Sequence, residues 1–217
     1  PRRATAPGDL LLMTTGAGGG TIATAAMYSG FPDVVESTMN LDFLRAAKAL
    51  VGNEVLRGVH AMTDVTNGGL RGDVHEMAAT AGCRIVIDEE ETSRLVEPKV
   101  REMLEALRID YLGVSIDALL IVAPPDVIAP VRDVIGKAGV ESRVIGRVEE
   151  GPPESVLVSG GRETDFTPRF RESAYTPVKK VVDRQCRDFE GMRREVERSA
   201  DAAIAKKQRV IARLSRH

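Results

Sequence analysis

Along the chain, apolar runs of strand length alternate with stretches whose apolar positions recur at helical spacing. Residues 9–15 (DLLLMTT) form the first run, cut off by Gly16-Ala17-Gly18-Gly19-Gly20. The small-residue stretch 21–28 predicts a helix with Gly30 as its stop. Residues 42–51 predict a second, with Phe43, Ala46, Ala47 and Leu50 on one face. A short strand is expected at 59–63, leading into the loop Asp64-Val65-Thr66-Asn67-Gly68-Gly69. Behind that loop Leu70, Val74, Met77, Ala78 and Ala81 line one side of a helix ended by Gly82. Residues 84–88 (RIVID) alternate as a strand, and Asp88-Glu89-Glu90-Glu91 reads as a solvated loop. Pro98 opens a helix over 97–107, striped by Val100, Met103, Leu104 and Leu107.

The clearest unit spans 118–148: a buried strand at 118–123, a helix started by Pro124-Pro125-Asp126 and a returning strand at 144–148. Strand, helix and strand over about thirty residues is βαβ-like. Residues 155–159 add one more strand before Gly160-Gly161. The expected fold is therefore α/β or α+β layered, a sheet with flanking helices. From Thr176 onward Val182, Phe189, Val196, Ala203 and Val210 recur every seventh residue, which predicts one long helix over 178–214. Its second seam is broken by Gln185, Ser199 and Lys206, so the helix is expected to dock on a protein body rather than form a coiled coil.

Charge divides the chain at the same place. Residues 1–168 hold 16 basic and 25 acidic side chains, whereas 169–217 hold 14 and 7. That asymmetry predicts a domain at 1–168 followed by a basic helical extension at 169–217. With 43% hydrophobic residues the chain can bury a core. No apolar run approaches the roughly 20 residues of a membrane span, and no apolar stretch follows Arg2-Arg3 as a signal peptide would need. Cys83 and Cys186 lack metal-type spacing and fit a reducing cytoplasm. Aromatics are 4%, which disfavours nucleic-acid binding by stacking.

Two loops carry candidate chemistry. Gly16, Gly18, Gly19 and Gly20 lie between a strand and a helix, where backbone N–H groups can meet an anion. The same glycines also suit a tight turn at a packed interface. In the second loop Asp64 can hold Mg²⁺, and Thr66, Asn67, Gly68 and Gly69 can meet a phosphate. The alternative is structural: Thr66 or Asn67 caps the helix and Asp64 offsets its positive end. His60 and His75 form no histidine metal motif. Cys83 reads as a small buried apolar residue.

Taken in order, these segments resemble a known family. Gly8-Asp9-Leu10-Leu11-Leu12, the glycine loop, Thr63-Asp64-Val65-Thr66-Asn67-Gly68-Gly69-Leu70 and Glu76-Met77-Ala78 resemble the C-terminal domain of the aminoimidazole ribonucleotide (AIR) synthase superfamily. The helix 103–107, the strand 119–125 and Ala138-Gly139-Val140 leading into 144–148 follow in the expected order. The superfamily includes selenophosphate synthase, the hydrogenase-maturation carbamoyl dehydratase and thiamine-monophosphate kinase. The resemblance implies a mixed sheet with flanking helices and an N-terminal ATP domain that this stretch lacks. It implies ATP as substrate, Mg²⁺ reached by Asp64, and the nucleotide phosphates near Gly16–Gly20 and Thr66–Gly69. A homodimer acting on a phosphate-bearing small molecule is expected.

The reading is half of an ATP-dependent enzyme that activates a carbonyl, carboxylate or selenide by phosphoryl transfer, inactive alone. The competing reading is a non-catalytic regulatory module that docks through the basic C-terminal helix.

Overall fold

The structure, a computed structural model, describes residues 5–38, 40–168 and 189–214. Its strands are β1 (Leu10–Thr14), β2 (Ala61–Val65), β3 (Arg84–Asp88), β4 (Ala118–Ala123), β5 (Ser142–Glu149), β6 (Glu154–Ser159) and β7 (Arg162–Asp165). Among the described residues they form one seven-stranded sheet in the order β2-β4-β1-β5-β3-β6-β7. Every neighbouring pair is antiparallel except β3–β6, so the sheet is mixed as expected.

β1 is the hub, because it pairs antiparallel with both β4 and β5. β4 and β5 thus run parallel to each other with β1 between them, and the expected βαβ unit is a split one. A bulge opposite Leu11 and Leu12 lets β5 continue past the hub, with Gly146 facing Leu11. A Cβ on Gly146 would lie 2.4 Å from the Val86 carbonyl oxygen, so only glycine fits between β1 and β3 there.

The helices are α1 (Gly20–Ser29), α2 (Pro32–Ser37), α3 (Asp42–Leu50), α4 (Gly69–Ala81), α5 (Glu89–Ser93), α6 (Pro98–Ala106), α7 (Pro125–Lys137) and α8 (Phe189–Leu214). Alternation along the strands divides the core in two. Leu11, Met13, Leu120 and Val122 face α1, α4 and α6, where Ile22, Leu70, Met77 and Met103 meet them. Leu12, Leu119 and Ile121 face α3 and α7, against Ala46, Leu50, Ile128 and Ile135. β4 is buried at all six positions, so its apolar run serves both cores. Each such Leu or Ile side chain is worth about 1.5–3 kcal/mol when fully buried.

Four segments depart from the sequence reading. β2 begins two residues later than expected, which places Asp64 inside a strand rather than in the following loop. The acidic run is not a loop: Asp88 accepts a hydrogen bond from the Glu91 amide and caps α5. α2 and β7 were not anticipated. β7 is exposed at every position and so carries no alternation to read. It is held instead by Phe166, fully buried just beyond it, with the Arg71 guanidinium 4.7 Å above the ring centroid.

The C-terminal helix packs on the chain's own body, against α1 and α2. Ala203 meets the first core, Val210 lines the contact with Val35, and Arg209 forms an ion pair with Glu36. Val178 and Val182 of the expected stripe lie outside the described residues.

Arg84 ties the far edge of the sheet together. Its guanidinium donates to Glu149 of β5 at 2.8 Å, Glu154 of β6 at 2.9 Å and Glu163 of β7 at 2.6 Å. Removing the cation leaves three carboxylates to repel one another. Arg84→Met is expected to lower the melting temperature. In a melting experiment the deficit should shrink in molar salt, which screens the residual repulsion; a deficit independent of salt would contradict the electrostatic account.

Candidate functional site

Strand directions set where the two candidate loops meet. β1 and β2 both run antiparallel to β4, with Met13 opposite Leu120 and Val65 opposite Ala118. The C-terminal ends of β1 and β2 and the start of β4 therefore share one end of the sheet. Thr14 fastens that end by accepting the Leu119 amide at 2.9 Å. The glycine loop leaves β1 there and the Thr66–Gly69 loop leaves β2, so the fold brings both sequence motifs together.

Between them runs the segment 112–118, and the glycines fit around it. A Cβ on Gly16 would sit 2.4 Å from the Ile116 carbonyl oxygen, and one on Gly19 would sit 2.2 Å from Asp117 Oδ2. On the other side a Cβ on Gly69 would lie 2.5 Å from the Leu112 oxygen and 2.6 Å from the Val114 nitrogen. Gly16 and Gly69 face backbone and tolerate no side chain there, whereas a side chain at Gly19 would have to displace the Asp117 carboxylate. Gly69 also has φ +63°, the left-handed region that costs other residues about 1–2 kcal/mol.

Backbone partners divide the first loop. The Gly16 amide donates to the Leu95 carbonyl and its own carbonyl accepts from Glu97, while the Gly18 amide donates to Ile116. Those two glycines are committed to packing. Gly20 is exposed, and α1 starts behind Gly19 with no side chain capping it. α4 likewise starts behind Gly68, φ +90°, without a side-chain cap, so neither Thr66 nor Asn67 takes that role. Two bare helix starts thus share one end of the sheet.

Asp64 stands on the outer strand β2 and is exposed to solvent. Sequence reasoning missed its companion, Asp117. This residue adopts φ +51°, an uncommon conformation for a side-chain-bearing residue. Its amide donates to the Val65 carbonyl at 3.1 Å, and its Oδ1 accepts from Ser115 Oγ at 2.6 Å. Asp117 thereby bridges the end of β2 and the Gly19 turn. Nothing in its one-dimensional surroundings marks it, since the conformation arises from the threading of 112–118.

His60 does not join the site. His60 Nδ1 lies 2.8 Å from Asp9 Oδ2, at the opposite end of the sheet. Burial, with Asp9 adding to it, pushes the Cys83 thiol up, which agrees with its reading as an inert buried residue. Among the described residues no group of three His, Cys, Asp or Glu side chains is placed to hold a metal. No described helix is long and apolar enough to cross a membrane.

Gly69→Ala should combine left-handed strain with a backbone collision. A loss of at least about 2 kcal/mol is expected in denaturant unfolding. Gly20→Ala meets no atom within 4 Å and should leave stability nearly unchanged; equal effects of the two would refute the threading account.

The comparisons with known proteins point the same way. The pattern of the family described as AIR synthase related protein, C-terminal domain, matches residues 6–159. The uncharacterized protein MJ1416 of Methanocaldococcus jannaschii is 48% identical over 211 residues, 97% of this chain and 45% of that protein. Carbamoyl dehydratase HypE of Escherichia coli K12 is 39% identical over 66 residues, 30% of this chain and 19% of HypE. The crystal structure of E. coli HypE superposes with a TM-score of 0.62 at 25% identity, covering 82% of this chain and 54% of that one. A HypE structure in complex with ATP superposes at 0.60 and 19% identity, over 78% and 53% of the two chains. The chain thus spans about half the length of these relatives. A pattern that fits most of the chain, on a mixed sheet of the same shape, makes it a member of the AIR synthase related family, represented by that family's C-terminal domain.

Proposed function

We propose that the chain is the C-terminal half of an enzyme that uses ATP to activate a small phosphate-bearing substrate by phosphoryl transfer. The observation that carries this reading is that two uncapped helix starts share one end of the sheet with Asp64 on β2 and with Asp117 beside the Gly19 turn. Bare N–H groups and the helix dipoles attract phosphate oxygens. Carboxylates repel them unless a divalent cation stands between. Mg²⁺ fits such a place, because it takes one or two carboxylates and completes its shell with phosphate oxygens and water. The exposed Asp64 would hold it, and the bound ion would neutralise charge on the phosphates. The amides at Gly19 and Gly20 and the loop Thr66-Asn67-Gly68-Gly69 would orient those phosphates, while Asp117 fixes the turn beside them.

Phosphoryl transfer asks mostly for positioning and electrostatics, so the lack of a side-chain nucleophile among these residues is consistent with it. The ATP complex of HypE, which shares the fold, adds support. In this reading the remaining ATP contacts come from a further domain, and a homodimer completes the enzyme. The regulatory alternative has less support, because α8 spends part of its apolar stripe on its own α1 and α2.

Alone, the chain should bind Mg²⁺–ATP weakly, since a single carboxylate retains Mg²⁺ poorly. In the longer protein that includes an ATP domain, Asp64→Asn should lower ATP turnover about a hundredfold or more. Because Asp64 is exposed, the melting temperature should stay nearly constant. Equal turnover by the variant would return Asp64 to a surface charge on an outer strand.

A further inference from the structure

The contact between α2 and α8 contains a group that packing alone does not explain. Lys206 lies on the inward side of α8, and its Nζ is shielded from solvent with no hydrogen-bond partner among the described residues. Its side chain lines a pocket of about 260 Å³ together with Val35, Leu41, Ala203, Val210 and Ile211. The nearby carboxylate, Glu36, forms an ion pair with Arg209 one turn further along the helix. Burial accordingly pushes the Lys206 ammonium below its ordinary range, with Glu36 opposing and Arg209 reinforcing the shift.

An ammonium withdrawn from water without an acceptor is costly, and a leucine or methionine would fill the same space without that cost. A residue that breaks a local rule in this way asks for a partner. The pocket supplies the rest of the description. Lys207 stands beside Lys206 on the rim, and Leu41 and Ile211 remain 40% and 51% exposed at the mouth. Two lysines in the lining of an otherwise apolar pocket complement a molecule with an anionic head and a hydrocarbon body. At about 30 Å³ per water-sized group, the volume admits roughly eight heavy groups.

We propose that the pocket between α2 and α8 binds a small apolar carboxylate, its head on Lys206 and Lys207 and its tail between Val35, Leu41, Val210 and Ile211. The four-carbon stem of Lys206 already lines the cavity, so rotation about its terminal bonds brings Nζ to the carboxylate. Such a ligand supplies the missing acceptor and joins α8 to α2, a contact separate from the glycine loops and from nucleotide.

Octanoate is a suitable probe, with 1-octanol as the neutral control of similar length. Calorimetric titration of the full chain should show saturable binding of octanoate. Lys206→Met should weaken that binding about tenfold or more, the loss of one charge-assisted contact, while leaving 1-octanol unaffected. Equal octanoate affinity in the two proteins, or no saturable binding, would overturn the proposal. If the variant does not fold, NMR of ¹³C-lysine in the unaltered chain reads the same contact. One lysine Cε should shift with octanoate and not with 1-octanol, and the absence of any such shift would also overturn it.

Discussion

The end of the sheet where the two glycine loops meet depends on backbone passing within van der Waals reach of backbone. The segment 112–118 threads between the loop after β1 and the loop after β2, and Gly16, Gly19 and Gly69 are the places where a Cβ would collide with it. That threading delivers β4 into the sheet between β1 and β2, with Val65 facing Ala118 and Thr14 holding Leu119. With those strand ends fixed, α1 and α4 begin at the same end of the sheet, and the two apolar faces of β4 meet separate layers of helices. A side chain at Gly16 or Gly69 would push backbone away from backbone, and one at Gly19 would displace the Asp117 carboxylate.

Much of this was legible in the sequence because burial imposes a period. The strands at 84–88 and 118–123 fall where alternation and a continuous apolar run place them, and the Gly30 and Gly82 stops fall where left-handed caps are expected. The family resemblance rested on ordered motifs and agrees with the matched span 6–159. The rest lacked a periodic signal. β7 is exposed throughout, so neither period is written into it. α5 depends on a single capping contact from Asp88, which a run of acidic residues conceals. The shift of β2 toward Asp64 is set by pairing with β4, a long-range contact that local pattern does not encode.

Asp117 shows the sharper limit. Its importance lies in φ +51° and in three partners, Val65, Ser115 and Gly19, of which only Ser115 is near it in sequence. No composition or spacing rule singles out an aspartate before a buried strand. The converse holds for Gly16 and Gly18, whose glycine-rich setting resembles a phosphate cradle although their amides are spent on Leu95 and Ile116.

The two uses of the glycine loop are therefore consecutive along the chain rather than competing. Gly16 and Gly18 are consumed in bringing the backbone close, and that closeness leaves Gly19 and Gly20 at a helix start that no side chain caps. The second loop repeats the arrangement: Gly69 packs on 112–114, and the helix behind Gly68 also begins bare. With glycine at the N-cap position, each such start costs its helix only about a few tenths of a kcal/mol relative to a Ser, Thr, Asp or Asn cap. The helices α2, α3, α6 and α7 also start without a side-chain cap, so what sets these two starts apart is their shared end of the sheet, with Asp64 on the outer strand and Asp117 in its left-handed turn. Under the proposed function that shared end is where phosphates would meet bare N–H groups, with a cation between them and Asp64.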